Sequence, residues 1–444
     1  MAHAELTVND LRNLENKIKD KSAEIGIVGL GYVGLPLALA FVEAGFNVTG
    51  IDSDKTRINK ITRGISYLLD IESPRLKKAV TSGRLKATVS PSAMRRVDTI
   101  IICVPTPLTS TKEPDLTYII SATNEIARYL RLGHLVILES TTYPGTTREV
   151  VLPLLESTGL KVGVDYFLTF SPERIDPGSR QFTIRNTPKV VGGMEPKSTR
   201  FAAMLYGHVS DKVLEVSSPE VAEMDKVFEN VFRSVNIALV NELAKLCEKM
   251  NVNVWEVIKA ASSKPFGYMP FYPGPGVGGH CIPLDPYYLA SKAREYFFHT
   301  RFIELAAEIN ETMPEYIVQR IVDVLNTSSK SVKGAKILIL GVAYKKDIED
   351  LRESPALRVI ELLIEKKAKV NYNDPYISEI KEHNLRMKSV KLDKKAAGNY
   401  DCVVILTAHS CYDLKAIVSD SKLVFDTRGC TVGMKADNVI RLGE

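Results

Sequence analysis

The chain has 444 residues, of which 45% are hydrophobic and 25% charged, and a formal net charge of +5. That is enough chain for two or three domains with ample core, and the modest charge without a long Lys/Arg run argues against a nucleic-acid partner. No apolar run approaches the roughly 20 residues that a membrane span needs, so no membrane partner is expected.

Residues 1–21 read as an N-terminal extension, a short polar amphipathic helix without the apolar core of a signal peptide. The six cysteines, at 103, 247, 281, 402, 411 and 430, are scattered and lack CxxC spacing. Neither a zinc site nor a disulfide framework is indicated, so no metal is expected, and reduced thiols fit a cytoplasmic protein.

Residues 22–216 read as the first domain. Glu24 to Val28 is an apolar strand that runs into Gly29-Leu-Gly-Tyr-Val-Gly34. A helix over Leu35 to Ala44 follows, then Gly45, then a strand over Asn47 to Ile51 that ends in Asp52. Strand, glycine turn, helix, strand and acid, in that order, form the dinucleotide-binding fingerprint. Gly29 allows the tight turn, Gly31 lets backbone approach a pyrophosphate, and Gly34 lets helix and sheet pack closely. Tyr32 and Val33 complete the turn and count with the cofactor site. Asp52 would accept from ribose hydroxyls and repel a 2′-phosphate, which favours NAD over NADP; Arg57 is near enough to blur that preference.

Further strands over Thr99 to Val104, Leu135 to Leu138 and Tyr166 to Phe170 alternate with helices, which predicts a doubly wound parallel sheet. Cys103-Val-Pro-Thr-Pro107 and Glu139 to Gly145 follow strands, where ligands sit in such sheets. Thr106 and Thr141 are candidates to line the cofactor and the reacting carbon, or are ordinary turn residues. Glu173, after the Tyr166 to Phe170 strand, could be a general base, with Arg174 beside it a candidate for the substrate.

Residues 217–326 read as a helical middle. Ser218 and Pro219 mark a helix start, and no Gly or Pro interrupts the chain from there to Met250. Lys226 and Asn230 lie one turn apart on this helix, and Arg233 one turn further. Such a lysine is usually solvated, but a Lys with an Asn one turn on could hold an oxyanion. The loop GPGVGGHCIPLDPYY, from Gly274 to Tyr288, brings four glycines (274, 276, 278 and 279) up to Cys281. Cys281 is a buried hydrophobe, a metal ligand or a nucleophile. Adjacent His280 and Cys281 without a second ligand pair make a poor zinc site, whereas a thiolate is a good nucleophile for a carbonyl carbon. If a helix starts there, Asp285 shares its face. Residues 327–444 read as a second α/β domain, with a strand at Lys336 to Leu340, a helix at Ser354 to Lys366 and an acid near Asp374, but no GxGxxG.

Five separated motifs, GLGYVGLP, CVPTP, ESTTYPGTT, GPGVGGHCIPLDP and GVAYKKDIEDLRESP, occur in the order of the UDP-glucose/GDP-mannose dehydrogenase family. The sequence resembles that family from about Ser22 to Gly429. The resemblance implies an N-terminal Rossmann NAD domain, a central long helix that builds a homodimer or higher oligomer, and a C-terminal Rossmann-like domain for a UDP-sugar. It makes Cys281 the nucleophile, Lys226 and Asn230 the oxyanion holders, and Asp285 and Glu173 the acids. Thr141 then lies near the reacting carbon, Arg352 near the NAD phosphates, and Lys346 and Arg428 at the substrate. Tyr272, Gly276, Gly279, Arg233 and Arg301 are further substrate-binding candidates, although either arginine could be a surface residue or reach a neighbouring subunit.

Glucose-type members typically read Gly-Gly-Ser-Cys followed by a Lys-Asp pair, where this chain has Gly-Gly-His-Cys and Leu284-Asp285. That departure, with KPFGYMPFYPGPGVGGHC and HTRFIELAAEIN, resembles the branch that oxidises UDP-N-acetyl-D-glucosamine at C6 for surface polysaccharides. UDP-glucose and UDP-N-acetyl-D-mannosamine are the alternatives within the family. A non-catalytic NAD or nucleotide-sugar sensor would have no reason to keep Cys281, Lys226 and Asp285 together, and a hydroxy-acid dehydrogenase would need no second α/β unit.

Overall fold

The computed structural model describes residues 8–68, 70–109, 111–175, 181–279, 281–382, 384–392 and 396–444; the side chains of residues 8–12 and of Cys281 lie outside the described residues. The chain divides into two compact units, Met1–Glu229 with Tyr287–Phe297, and Asn230–Pro286 with Phe298–Glu444.

The first unit opens with the amphipathic helix expected before the first strand, α1 (Val8–Lys19). It buries Leu14 and Ile18 in the core, and Lys17 Nζ bonds Asp98 over 2.9 Å. The strands β1 (Glu24–Val28), β2 (Asn47–Ile51), β3 (Leu85–Thr88), β4 (Thr99–Ile102), β5 (Leu135–Leu138), β6 (Phe167–Phe170), β7 (Lys189–Gly193) and β8 (Val213–Val216) form one sheet in the order β3-β2-β1-β4-β5-β6-β7-β8. The first six of these, β1 to β6, pair in parallel, β7 is antiparallel to β6, and β8 is parallel to β7. Short apolar runs make these strands because both faces are covered, and successive residues supply opposite cores. Ile25, Ile27, Ile101 and Ile137 face one core, and Ile100, Ile102, Val136 and Leu138 the other. The helices α2 (Gly34–Ala44), α3 (Lys55–Thr62), α4 (Ser73–Thr81), α5 (Thr117–Tyr129), α6 (Leu152–Glu156) and α7 (Pro196–Tyr206) supply the covering layers. The strand order reverses between β1 and β4, the switch point at which doubly wound sheets bind ligands.

The helix predicted from Ser218-Pro219 is α8 (Pro219–Met250), unbroken over 32 residues; the division between the units falls within it, at Glu229/Asn230. In the second unit α9 (Val254–Ala261) is capped by Asn253; α10 (Cys281–Glu295) begins there at the cysteine, and its residues from Tyr287 onward belong to the first unit. The helices α11 (Arg301–Glu311) and α12 (Met313–Thr327) lead into a second sheet. It is built on β9 (Lys336–Leu340), followed by α13 (Pro355–Glu365) and β10 (Lys369–Asn373); a short pair β11 (Glu379–Ile380) and β12 (Met387–Lys388) stands apart. Then come β13 (Cys402–Ile405), α14 (Leu414–Asp420), β14 (Val424–Asp426) and β15 (Val439–Arg441), giving the parallel order β10-β9-β13-β14-β15. Its switch point lies between β9 and β13. No helix among the described residues is long and apolar enough to cross a membrane.

Candidate active site

In the first unit the turn after β1 has the shape that a dinucleotide needs. Gly29 has φ +91°, and a Cβ there would meet the Cys103 carbonyl oxygen at 2.5 Å, so the turn admits only glycine. Gly34 packs against Gly29, while a Cβ on Gly31 would meet nothing within 4 Å, leaving open space beside the backbone. Val33 precedes α2 without a side-chain cap, and Tyr32 is exposed. The first amides of α2 are therefore not capped by the N-cap side chain, which suits a pyrophosphate. Asp52 is buried at the end of β2, its Oδ2 accepting from Leu30 N over 2.8 Å and its Oδ1 from Asp54 N over 2.9 Å. Arg57 Nη1 stands 3.4 Å from Oδ2, and so competes for the oxygen that a ribose hydroxyl would use. These residues fit NAD.

The loops after β4 and β5 are tied together. Ser140 Oγ donates to Val104 O over 2.7 Å, and the carbonyl of the buried Thr106 accepts the hydroxyl of Tyr288. Thr141 is half-buried beside Ser140. Glu223 of α8 clamps the same loop: it accepts from Gly145 N over 2.6 Å, Thr147 N over 2.8 Å and Thr147 Oγ1 over 2.7 Å. Burial pushes the Glu223 carboxyl up to about 7, against the pull of those bonds. Glu173 turns its Oε1 to the amides of Arg174 and Ile175, each at 2.7 Å. Arg174 itself is engaged by Glu229 and by Pro188 O, so its guanidinium is a brace for this loop in the described structure. Lys226 is buried on α8, not solvated.

In the second unit Asn230 and Asp285 are brought together, Asn230 Nδ2 donating to Asp285 Oδ2 over 2.5 Å with both side chains buried. Cys281 opens the helix that carries Asp285; its thiol, like His280, lies outside the described residues, so the roles expected of them rest on position in the chain. The glycines of the loop are explained by protein neighbours. A Cβ on Gly274 would meet Arg428 Nη1 at 2.5 Å, and one on Gly279 would meet the Tyr344 ring at 2.8 Å. Gly276 and Gly279 both have positive φ, and Gly279 N bonds Arg352 O over 2.9 Å. Arg352 also grips Asp350, at 2.6 Å. Lys346, Arg233 and Arg301 are exposed. Tyr272 is 57% exposed and stacks on Trp255 with centroids 6.2 Å apart.

Sequence reasoning missed the buried groups that hold these loops. Asn241 Oδ1 accepts from Gly274 N over 3.0 Å, Asn241 Nδ2 donates to Asn310 Oδ1 over 3.0 Å, and Asn310 Nδ2 donates to Ser234 O over 3.0 Å. The only advance signal was an Asn inside an otherwise apolar helical stripe. The absent fingerprint in the second sheet also has a structural counterpart. Asp374, placed after β10 as Asp52 is after β2, already accepts from Val342 N, Ala343 N, Tyr376 N, Ile377 N and His409 Nε2 at 2.7–3.0 Å. Five donors saturate the carboxylate, so it has no lone pair to spare for a ribose. Among the described residues no group of three His, Cys, Asp or Glu side chains could hold a metal ion.

Two open sheets, one mostly parallel with an NAD turn and one parallel without it, and a long helix between them in the chain that bears buried Lys226 and Asn230, define an NAD-dependent nucleotide-sugar dehydrogenase. Residues 23–210 match the NAD binding domain of the UDP-glucose/GDP-mannose dehydrogenase family, 220–312 its central domain and 338–432 its UDP binding domain, and the chain belongs to that family. It is 36% identical over 393 residues to UDP-N-acetyl-D-glucosamine 6-dehydrogenase of Pseudomonas aeruginosa, covering 88% of this chain and 91% of that protein. It is 38% identical over 386 residues to UDP-N-acetyl-D-mannosamine dehydrogenase of Pyrococcus horikoshii, covering 87% and 89%. The solved UDP-D-ManNAc dehydrogenase structure from Pyrococcus horikoshii superposes with a TM-score of 0.86 at 34% identity, over 95% of this chain and 99% of that one. The reaction is the NAD-dependent oxidation of a UDP-sugar at C6.

Proposed function

We propose that the substrate is UDP-N-acetyl-D-glucosamine and that its C6 hydroxymethyl is taken to the carboxylate. The observation that carries this reading is the buried Asn230–Asp285 bond on the helix pair whose second member opens at Cys281. Converting CH2OH and water to a carboxylate releases two hydrides and three protons. NAD, held by the Gly29–Gly34 turn and Asp52, supplies the hydride acceptor for each oxidation. Cys281 attacks the C6 aldehyde and holds it as a thiohemiacetal, and oxidation of that adduct leaves a thioester. Lys226 and Asn230 stabilise the successive oxyanions; the Asn230 amide has a second N–H for this. Asp285, with Glu173 as general base, positions and activates the water that releases the uronic acid. Thr141 and Thr106 line the cofactor side, and Arg428, Lys346 and Tyr272 hold the UDP-sugar.

Support for an acetamido sugar comes from Gly-Gly-His-Cys in place of Gly-Gly-Ser-Cys and from the two similar relatives, both of which act on N-acetylated UDP-hexoses. UDP-N-acetyl-D-mannosamine is the second reading, favoured by the Pyrococcus relative. We further propose a homodimer built on α8, whose exposed Phe232, Leu239 and Leu246 recur at heptad spacing. The test is the NADH formed from limiting UDP-N-acetylglucosamine with excess NAD. Two NADH per sugar supports both substrate and covalent scheme, and one would end the scheme at the aldehyde. None, with turnover of UDP-N-acetylmannosamine or UDP-glucose, would replace the substrate.

A further inference from the structure

Lys189 begins β7 and Glu139 follows β5, yet both side chains are buried. Lys189 Nζ bonds Glu139 Oε1, and the buried Tyr206 of α7 donates its hydroxyl to Glu139 Oε2 over 2.6 Å. The Lys189 ammonium also lies 4.9 Å from the centroid of the Tyr206 ring. Its other neighbour is Glu173, whose Oε2 stands 3.8 Å away. Because Glu173 Oε1 is fixed by two backbone amides, the carboxylate cannot swing away, and Oε2 is held on the lysine side. One cation thus stands between two carboxylates, one fully engaged and one in the half-buried loop.

We infer that Lys189 is a positioning residue for Glu173, and that Glu139 sets how much of the lysine charge reaches it. This rests on the reading of Glu173 as the base of the reaction. Burying a lysine this deeply costs several kcal/mol unless it is paired, and Glu139 with Tyr206 supplies that pairing from below. The groups that face Lys189 come from every adjoining element: Cys103 after β4, Glu139 after β5, Glu173 after β6 and Tyr206 on α7. Burial pushes the Cys103 thiol and the Tyr206 hydroxyl up, so both stay neutral; it pushes the Glu139 carboxyl up as well, while the bonded Lys189 ammonium and the Tyr206 hydroxyl pull it back toward the ionised form. Glu139 and Glu173 are the two carboxyl groups that draw on Lys189, and both favour its ammonium form against the cost of burial.

The arrangement predicts shifts of opposite sign. Removing the cation with Lys189→Met disfavours the ionised base, so the acid limb of kcat/KM against pH moves up by about one pH unit or more. Neutralising the competitor with Glu139→Gln frees the lysine for Glu173 and moves the limb down, while Lys189→Arg retains it. A merely structural role would lower activity without moving the limb in opposite directions. Profiles are measured with saturating NAD and the UDP-sugar that the wild type turns over fastest. An unmoved limb in both variants, or shifts of one sign, overturns the inference. Should Lys189→Met not fold, the downward shift in Glu139→Gln decides alone. Glu173→Gln separates the two layers: if it keeps the acid limb, the base assignment itself falls. If it loses the limb while Lys189→Met leaves the limb in place, only the role of Lys189 falls.

Discussion

Asn230 of α8 donates to Asp285 of α10 over 2.5 Å, and neither side chain is exposed. The bond needs an acceptor at Asp285 and orients the Asn230 amide at the same time. Asp285→Asn keeps the shape but removes the ionisable oxygens. If Asp285 activates water for thioester hydrolysis, kcat falls about 10²- to 10⁴-fold, while the first turnover still yields two NADH per site. Stopped-flow absorbance of NADH reads both quantities. A steady-state rate within threefold of wild type takes Asp285 out of the hydrolytic step.

Arg428 lies against the glycine loop, with its Nε donating to Leu406 O over 2.7 Å and its Nη1 beside Gly274. Burial lowers its pKa to about 10, which still leaves a cation at neutral pH. Arg428→Ala should raise KM for the UDP-sugar on the order of tenfold or more, as expected for a lost charge-assisted bond, with KM for NAD unchanged. Gly274→Ala should act in the same direction, because its methyl group displaces the guanidinium. Initial rates with each substrate varied in turn check this, and an unchanged sugar KM in Arg428→Ala removes the residue from substrate binding.

What could be read in advance follows from range along the chain. The turn at Gly29–Gly34 and Asp52 are separated by a single helix and strand, so periodicity and glycine spacing reveal them together. The start of α8 was legible at Ser218-Pro219, because capping chemistry is local. The division between the units at Glu229/Asn230 was not legible, since α8 runs through it with no change in composition. Nor was the antiparallel β7, or the Glu139–Lys189 pair, whose partners come from different strands of the sheet. A lysine before Val-Val-Gly-Gly looks like a surface strand end until its neighbours are known. The glycines at 274, 276, 278 and 279 stand out in the sequence, but the side chains that crowd them, Arg428 and Tyr344 among them, come from far along the chain and could not be read there.

Glu223 gives a stability signature with a definite sign. Its folded pKa is raised from 4.5 to about 7 by burial. Both states are protonated below pH 4.5 and both ionised above about 7. Between these limits the folded state holds the proton that the unfolded state has released, so the contribution to stability falls as pH rises, by about 3 kcal/mol at most. Glu223→Gln removes that dependence, and it also turns an amide N–H toward Gly145 N or Thr147 N, at a cost of about 1–3 kcal/mol. The variant should therefore be most destabilised relative to wild type near pH 4.5, and the gap should narrow toward pH 7.5. Thermal unfolding at several pH values, followed by circular dichroism, measures the gap. A gap that widens with pH would mean that Glu223 is held ionised.

Phe232, Leu239 and Leu246 on α8 are 42%, 62% and 52% exposed and stand at successive intervals of seven residues. Exposed apolar residues at this spacing form a stripe along one side of a helix, the pattern by which helices pair. Three such residues carry a thermodynamic penalty in water that association would relieve. Leu239→Glu with Leu246→Glu should therefore leave the helical content and the unfolding temperature of an isolated chain nearly unchanged, since the replaced groups are mostly solvated. It should lower the solution mass to that of one chain, read by light scattering after size exclusion. If the wild type already runs at the mass of one chain, or the double variant keeps the wild-type mass, α8 is not the interface.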